Sequence, residues 1–264
     1  MEGELDTVRT AKVAFITGAG RGIGRALALG FGKKGYVVVA ASTTRARNQA
    51  VAQEIEAEGG EAFAVDLDVS QEDSVRAAID QVLGRYGRVD VLINNAALKG
   101  GFIPGDRRHV KDLPIDAWRR MLDVNVTGPL LCAQACASAM MDQQAGSVIN
   151  VSSAAATQFR EAESFYGATK AALDAMTRIL AAQLKPHNVA VNVILPGATF
   201  TGAQDPSTLS PEQRARLLRP ETSVPLALFL AGQGPLQVTG EIIDVVEWNQ
   251  EHGFGGREVW RLAN

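Results

Sequence analysis

The chain has 264 residues, 46% hydrophobic and 21% charged, with 26 Lys and Arg against 29 Asp and Glu for a formal net charge of −3. That supplies one sizeable core, and the slightly acidic balance argues against nucleic acid as the main partner. The acidic start from Met1 to Asp6 lacks the apolar stretch of a secretion signal, and no run approaches the ~18 apolar residues of a membrane helix, so a cytoplasmic protein is expected.

In chain order, the first apolar run is Val13-Ala14-Phe15-Ile16, followed by Thr17-Gly18-Ala19-Gly20-Arg21-Gly22-Ile23-Gly24 and then by helical spacing through Ile23, Ala26, Leu27 and Phe31. A strand, a glycine turn and a helix start make a site for the pyrophosphate of a nucleotide. The helix N-terminus presents free N–H groups and partial positive charge, and glycine lets the backbone approach. The spacing is T-G-x-x-x-G-x-G, because Ile23 occupies the place where G-x-G-x-x-G requires glycine. Further strands are expected near 36–42, 62–67, 89–94, 147–152, 189–195 and 241–246, the first lying near 12–17. Helices are expected near 22–34, 46–58, 72–86, 115–141, 163–184 and 223–231. The strands are nearly all apolar, as in Val37-Val38-Val39-Ala40-Ala41, which suits parallel strands covered by helices on both faces. The expected architecture is a doubly wound α/β sheet of about seven parallel strands in one domain, residues 1–264, with a C-terminal tail from 247. Cys132 and Cys136 share a helix face and read as small buried side chains rather than a redox pair. His109, His187 and His252 are scattered, so no metal site is expected.

Polar residues gather where strands end. Strand four ends Asn94-Asn95-Ala96-Ala97, strand five ends Asn150-Val151-Ser152-Ser153, and strand six ends before Pro196-Gly197. Asn125 interrupts an apolar helix. Tyr166 and Lys170 lie four apart, so they share a helical face. An ammonium some 4–6 Å from a phenol favours the phenolate by roughly 3–4 kcal/mol at an effective dielectric of ~20, enough to bring a pKa of about 10 toward neutrality. Each residue alone has an ordinary reading: Asn95 as a turn former, Ser153 as a local cap, Asn125 as a helix bender, Tyr166 and Lys170 as surface. Ligands of such sheets bind at the carboxyl ends of the strands, and there these residues converge.

With these motifs the sequence resembles the short-chain dehydrogenase/reductase family over nearly its whole length. The resemblance implies a single-domain Rossmann fold with NAD(P) as cofactor. Residues 17–24 look like the cofactor loop, placing Gly18, Arg21, Gly22, Ile23 and Gly24 on the dinucleotide. Asn94-Asn95-Ala96-Ala97 is similar to the family's N-N-A-G, with Ala97 in place of glycine, where one methyl group could crowd the cofactor; Asn95, Ala96 and Ala97 would touch it. Asn125, Ser153, Tyr166 and Lys170 fall where the family keeps its catalytic tetrad, and the spacing of 13 to Tyr166 selects Ser153 over Ser152. By the same resemblance Tyr166 passes the proton, Ser153 hydrogen-bonds the substrate oxygen, Lys170 also holds the ribose, and Asn125 positions a water. Pro196-Gly197-Ala198-Thr199-Phe200-Thr201 is similar to P-G-x-x-x-T, so Pro196, Gly197, Thr199 and Thr201 would hold the nicotinamide. Asp68 and Val69 look like the adenine contact, and Asp66 simply ends strand three.

Members that use NAD place an acid at the end of strand two, where this chain has Ser42. Arg21 and the Ser42 and Thr43 hydroxyls can instead meet a 2′-phosphate, with Arg45 and Arg47 just beyond, so NADP is the expected cofactor. The expected activity is that of a carbonyl reductase or alcohol dehydrogenase on a small molecule, in a homo-oligomer, dimer or tetramer, with neither metal nor membrane. Two other readings stay open: a silent dinucleotide-binding sensor or scaffold, and a sugar-nucleotide epimerase or dehydratase. Loops 98–111, 154–165 and 199–221, with Arg107, Arg108, His109, Lys111, Arg160, Glu161 and Glu163, should line the substrate pocket. The last strand is followed by Val246-Glu247-Trp248 instead of the family's D-G-G. Trp248, Phe254 and Trp260 mark a tail that packs either at a subunit interface or on its own subunit.

Overall fold

The computed structural model describes residues 11–99, 111, 113–158, 164–202, 208–233 and 237–262. Seven strands, β1 (Val13–Thr17), β2 (Val37–Ser42), β3 (Glu61–Asp66), β4 (Val91–Asn94), β5 (Gly146–Val151), β6 (Val189–Leu195) and β7 (Ile242–Asp244), pair in parallel in the order β3-β2-β1-β4-β5-β6-β7. The helices are α1 (Gly22–Lys33), α2 (Arg45–Ala57), α3 (Glu72–Tyr86), α4 (Ile115–Leu122), α5 (Gly128–Asp142), α6 (Ser164–Leu184), α7 (Pro211–Arg216), α8 (Val224–Gly232) and α9 (Val245–Glu251).

Strand alternation explains why helices cover both faces. On β1, Val13 and Phe15 join a core with Val82 of α3 and Cys136 of α5, while Ala14 and Ile16 join a second core with Leu27 of α1 and Leu230 of α8. Successive side chains of a strand point to opposite faces, so an unbroken apolar strand needs two layers of helices. Cys132 and Cys136 are free and buried, and burial pushes the Cys132 thiol up to about 12, which keeps it protonated.

The expected helix over 115–141 is broken. Its middle, Asp123–Thr127, is a π-helical turn, in which Gly128 N–H reaches back to Asp123 C=O. The extra residue per turn directs Asn125 inward, where it is fully buried. The expected strand 241–246 is also shorter. Asp244 caps a new helix, α9, its Oδ1 accepting from Val246 N at 2.8 Å and Glu247 N at 3.1 Å. Asp244-x-x-Glu247 was the available signal. In the excursion after β6, Ser210 and Gln213 form a capping box for α7.

The tail folds back on its own chain. Trp248 lies 5.2 Å from Phe229 and stacks on His252 at 4.1 Å, while Trp260 sits beneath the Arg219 guanidinium at 5.3 Å. Leu218 pairs with Arg261 in an antiparallel bridge.

At the amino-terminal end of the sheet, Asp90 links the starts of the central strands β1 and β4. Its Oδ2 accepts from Val13 N and Arg88 Nε, each at 2.8 Å, and the carboxylate is 7% exposed. The Arg25–Glu54 pair joins α1 to α2 at 42% and 39% exposure. Removing one partner of a buried pair strands the other, whereas exposed pairs contribute at most about 1 kcal/mol. Asp90→Ala should therefore lower unfolding free energy by about 2–4 kcal/mol and Glu54→Ala by less than about 1 kcal/mol, measured by urea denaturation. Equal losses would contradict this assignment.

Candidate active site

The sheet order reverses between β1 and β4, which splits the covering layers and opens a cleft above their carboxyl ends. Two side chains hold the split. Thr17 Oγ1 accepts from the N–H groups of Asn95 and Ala96, both at 3.0 Å, and Asn95 Nδ2 donates to the carbonyls of Thr17 at 2.9 Å and Gly18 at 3.2 Å. Asn95 is thus a tie between two strand ends rather than a mere turn former. The approach leaves no space for a side chain: a Cβ on Gly18, whose φ is +66°, would stand 2.8 Å from Asn95 Nδ2, and one on Gly24 would overlap the Gly18 carbonyl.

A cleft of about 390 Å³ runs over this seam. Gly18, Arg21, Gly22 and Ile23 line it from the glycine loop, and Ser42 and Thr43 from the end of β2. Asp68 and Val69 follow β3, and Asn95, Ala96 and Ala97 follow β4. Ser153, Tyr166 and Lys170 line it beyond β5, and Pro196, Gly197, Thr199 and Thr201 beyond β6. Gly24 and Asn125 do not line it and act from behind. Asn125 Oδ1 accepts from Leu98 N and its Nδ2 donates to Leu98 O, both at 2.8 Å, and to Thr169 Oγ1 at 3.0 Å. It clamps the segment after β4 to the helix that carries Tyr166.

Ser153 begins a short 3₁₀ turn, Ala154–Ala156, and its Oγ accepts from Ala155 N at 3.2 Å. The turn presses on α6: a Cβ at Gly167 would overlap the Ala155 carbonyl. Tyr166 also packs beside Leu98 and Phe165 against buried Ala117 and Met121 of α4. Lys170 is 2% exposed; its Nζ donates to Val151 O at 2.8 Å and lies 5.7 Å from the Tyr166 ring centre. Burial pulls its pKa down to about 8, and the Asp174 carboxylate one turn on opposes this.

The end of β2 differs in detail from the expectation. Ser42 lines the cleft, but its hydroxyl donates to Asn48 Oδ1 at 2.6 Å and accepts from Thr44 N at 3.2 Å. Buried Asn48 in turn donates to the carbonyls of Ser42 and Val65. Arg45 forms an exposed pair with Asp66 at 2.6 Å, so Asp66 does more than end its strand. Arg47 stands over the glycine loop: a Cβ on Gly20 would lie 2.8 Å from Arg47 Cβ. Lys99, within the 98–111 loop expected to line the pocket but not singled out, lines the cleft as well, and so does Arg120, which sequence reasoning missed because nothing distinguishes it from an ordinary surface charge. Among the described lining residues, five cations (Arg21, Arg47, Lys99, Arg120, Lys170) face one carboxylate, Asp68. Arg107, Arg108, His109, Arg160, Glu161 and Glu163 lie outside the described residues.

These features fit a dinucleotide. The N-terminus of α1 points into a cradle where Gly18 and Gly22, both at positive φ, leave the backbone bare. A Cβ on Gly22 would collide with Thr201 backbone at 2.7 Å, so the loops after β1 and β6 close on one another. Among the described residues no three His, Cys, Asp or Glu side chains come together as metal ligands, and no helix is long and apolar enough to cross a membrane.

Comparison with known proteins agrees. A family model described as short chain dehydrogenase matches residues 12–211. A fluoren-9-ol dehydrogenase from Terrabacter sp. (strain DBF63) is 35% identical, over 98% of this chain and 77% of that protein. A 3-oxoacyl-[acyl-carrier-protein] reductase from Synechocystis sp. (strain PCC 6803) is 34% identical, over 90% and 97%. The crystal structure of a metagenomic short-chain oxidoreductase in complex with NADP superposes with a TM-score of 0.76 at 29% identity, covering 90% of this chain and 98% of that one. The chain belongs to the short-chain dehydrogenase family and is an NAD(P)-dependent oxidoreductase.

Proposed function

We propose that the protein interconverts a small-molecule carbonyl and a secondary alcohol, with NADP as the preferred cofactor and Tyr166 as general acid/base. The observation that carries the reading is the buried Lys170 ammonium beside Tyr166, with Ser153 in the same cleft. One relative is named for an alcohol that it dehydrogenates and another for an oxo group that it reduces, which supports this pair of functional groups.

When bound, the nicotinamide supplies or accepts a hydride. Tyr166 gives its phenolic proton to the carbonyl oxygen in reduction and takes it back in oxidation. Lys170 stabilises the resulting phenolate, and the dry site strengthens that attraction. Ser153 donates its hydroxyl hydrogen to the substrate oxygen as negative charge grows there. Asn125 holds Leu98 and Thr169, and through them the helix that aims Tyr166; a water in the proton path would meet it there. Thr199 and Thr201 would hold the nicotinamide, and Asp68 and Val69 the adenine. Arg21 and Arg47 would take the 2′-phosphate, supported by the one-sided charge of the cleft and by the NADP in the related structure. Ser42, with its hydroxyl engaged by Asn48, contributes shape more than charge.

Tyr166→Phe should lower kcat about 10²- to 10⁴-fold and leave dinucleotide binding intact, as measured by ketone-dependent NADPH oxidation and by fluorescence titration. A variant of near-native activity would remove Tyr166 from its role. Replacing Arg47 by Ala should reduce kcat/KM for NADPH about ten- to a hundredfold and leave NADH nearly untouched, since a charged hydrogen bond contributes about 1.5–3 kcal/mol. A native protein that favours NADH would refute the cofactor assignment.

The Lys170 pKa, lowered from 10.5 to about 8 chiefly by burial, also predicts a pH trend. The unfolded chain holds this proton more tightly than the folded one. Between about pH 8 and 10.5 the folded state sheds it first, so this group's destabilising contribution, fully present below pH 8, fades as pH rises. Lys170→Met, without ligand, should therefore gain stability relative to wild type at pH 7, and the gain should shrink by pH 10. Thermal unfolding of both proteins at the two pH values checks the sign; a gain that grows with pH would contradict it.

A further inference from the structure

The C-terminal segment is bound to the cofactor cleft by main-chain pairing. After β6 the chain passes Pro196–Thr201, leaves through α7, and returns at Leu217–Arg219. Leu218, fully buried, is the pivot. Its N–H donates to Ala198 O at 2.8 Å, and its C=O accepts from Phe200 N at 2.9 Å. The residues on either side face the other way. Arg219 N donates to Trp260 O at 2.8 Å, and Leu262 N donates to Leu217 O at 2.9 Å. The result is a three-segment ladder with the tail on one edge and the loop of Thr199 on the other. Leu217 N–H is satisfied by Arg214 O, and Arg219 C=O by Thr222 N and Oγ1, so the tail completes the pairing of residues 217–219.

Side chains reinforce the outer edge. Arg219 Nη2 donates to Val259 O and Arg257 Nη2 to Arg216 O, each at 2.8 Å, and the Arg219 guanidinium lies 5.3 Å from the Trp260 ring centre. The inner edge touches the cleft at two points. A Cβ on Gly197 would stand 3.2 Å from Leu218 Cδ1, and one on Gly22 would stand 2.9 Å from Thr201 Cα. Contact therefore runs unbroken from Trp260 through Leu218 and Thr199–Thr201 to the phosphate loop.

We propose that residues 257–262 are positioning elements of the dinucleotide site, fixing Thr199 and Thr201 through Leu218. The proposal rests on the reading of those threonines as nicotinamide contacts. A tail that only covered apolar surface would need side-chain packing alone. Trp248 supplies that, whereas Trp260 and Leu262 spend main-chain hydrogen bonds on Arg219 and Leu217, which flank the residue that pairs with the Thr199 loop.

Leu262→Pro in the full-length protein deletes the Leu262 amide donor, and Leu262→Ala trims the side chain but restores the amide. Three readouts separate the outcomes: hydrogen exchange at the Phe200 amide without ligand, NADPH dissociation by fluorescence titration, and kcat with KM. The expected result for Leu262→Pro is faster Phe200 exchange, about tenfold weaker NADPH binding, and a far smaller change in kcat at saturating NADPH, with Leu262→Ala restoring both binding and exchange toward wild type. If Leu262→Pro fails to fold, Trp260→Ala against Trp260→Phe repeats the test on the Arg219 contact, the phenyl ring being the conservative rescue. Proline and alanine variants that bind NADPH alike and exchange Phe200 alike overturn the proposal. Wild type that takes no dinucleotide overturns the functional reading instead, and the exchange arm still reports whether the tail holds the loop.

Discussion

The seam where β1 and β4 part is the constraint on which the cleft depends. Two parallel strands whose following chains leave toward opposite faces cannot satisfy each other's last peptide groups. Here Thr17 Oγ1 takes two N–H groups, and Asn95 Nδ2 gives to two carbonyls. Four main-chain groups at a point the ladder cannot reach are thereby paired, which buried backbone requires. The tie draws the glycine loop so close that a methyl group on Gly18 or Gly24 would meet Asn95. Glycine here reflects the close approach itself as well as the demands of a phosphate.

On this frame the protein buries a cation. A fully desolvated ammonium is unfavourable, and the hydrogen bond to Val151 O with the nearby Asp174 carboxylate offsets only part of that, as the lowered Lys170 pKa records. In the role proposed for Tyr166, the dry environment that destabilises the lysine would also strengthen its hold on a phenolate, since both follow from weak screening. It also sets a limit: above about pH 8 the free site begins to lose the Lys170 charge. Sites of this kind give up folding stability for a shifted proton affinity.

The sheet was legible because strands buried on both faces are unbroken apolar runs, and glycine or asparagine marks the exits of β1, β4 and β6. The cleft was legible for residues carried by strand exits: Gly18, Asn95, Ser153, Pro196. Tyr166 and Lys170, carried by α6, were legible by their spacing of four, but other side chains that reach the cleft from elsewhere were not. The apolar spacing from Ile115 to Met141 runs smoothly through the π turn, so periodicity hid the break that buries Asn125. Arg47 and Arg45 look equivalent in sequence, yet one overlooks Gly20 while the other pairs with Asp66, a choice made by helical phase on α2. Arg120 is an ordinary charge in sequence until α4 brings it to the cleft that Lys99 lines after β4. The pairing of Leu218 with Arg261 joins distant segments and leaves no local trace.

Charge shows why composition bounds function only coarsely. The chain as a whole is acidic, at −3, which argues against nucleic acid as the main partner. The cleft has the opposite sign, with five cations against one carboxylate among its described lining residues. The two facts are compatible because screening in salt limits each charge to roughly 8–10 Å. A long nucleic acid samples the field of a whole face, whereas a dinucleotide inside the cleft feels only its walls, and concave low-dielectric walls focus that field further. Net charge and cleft charge therefore carry separate information about a chain's ligands.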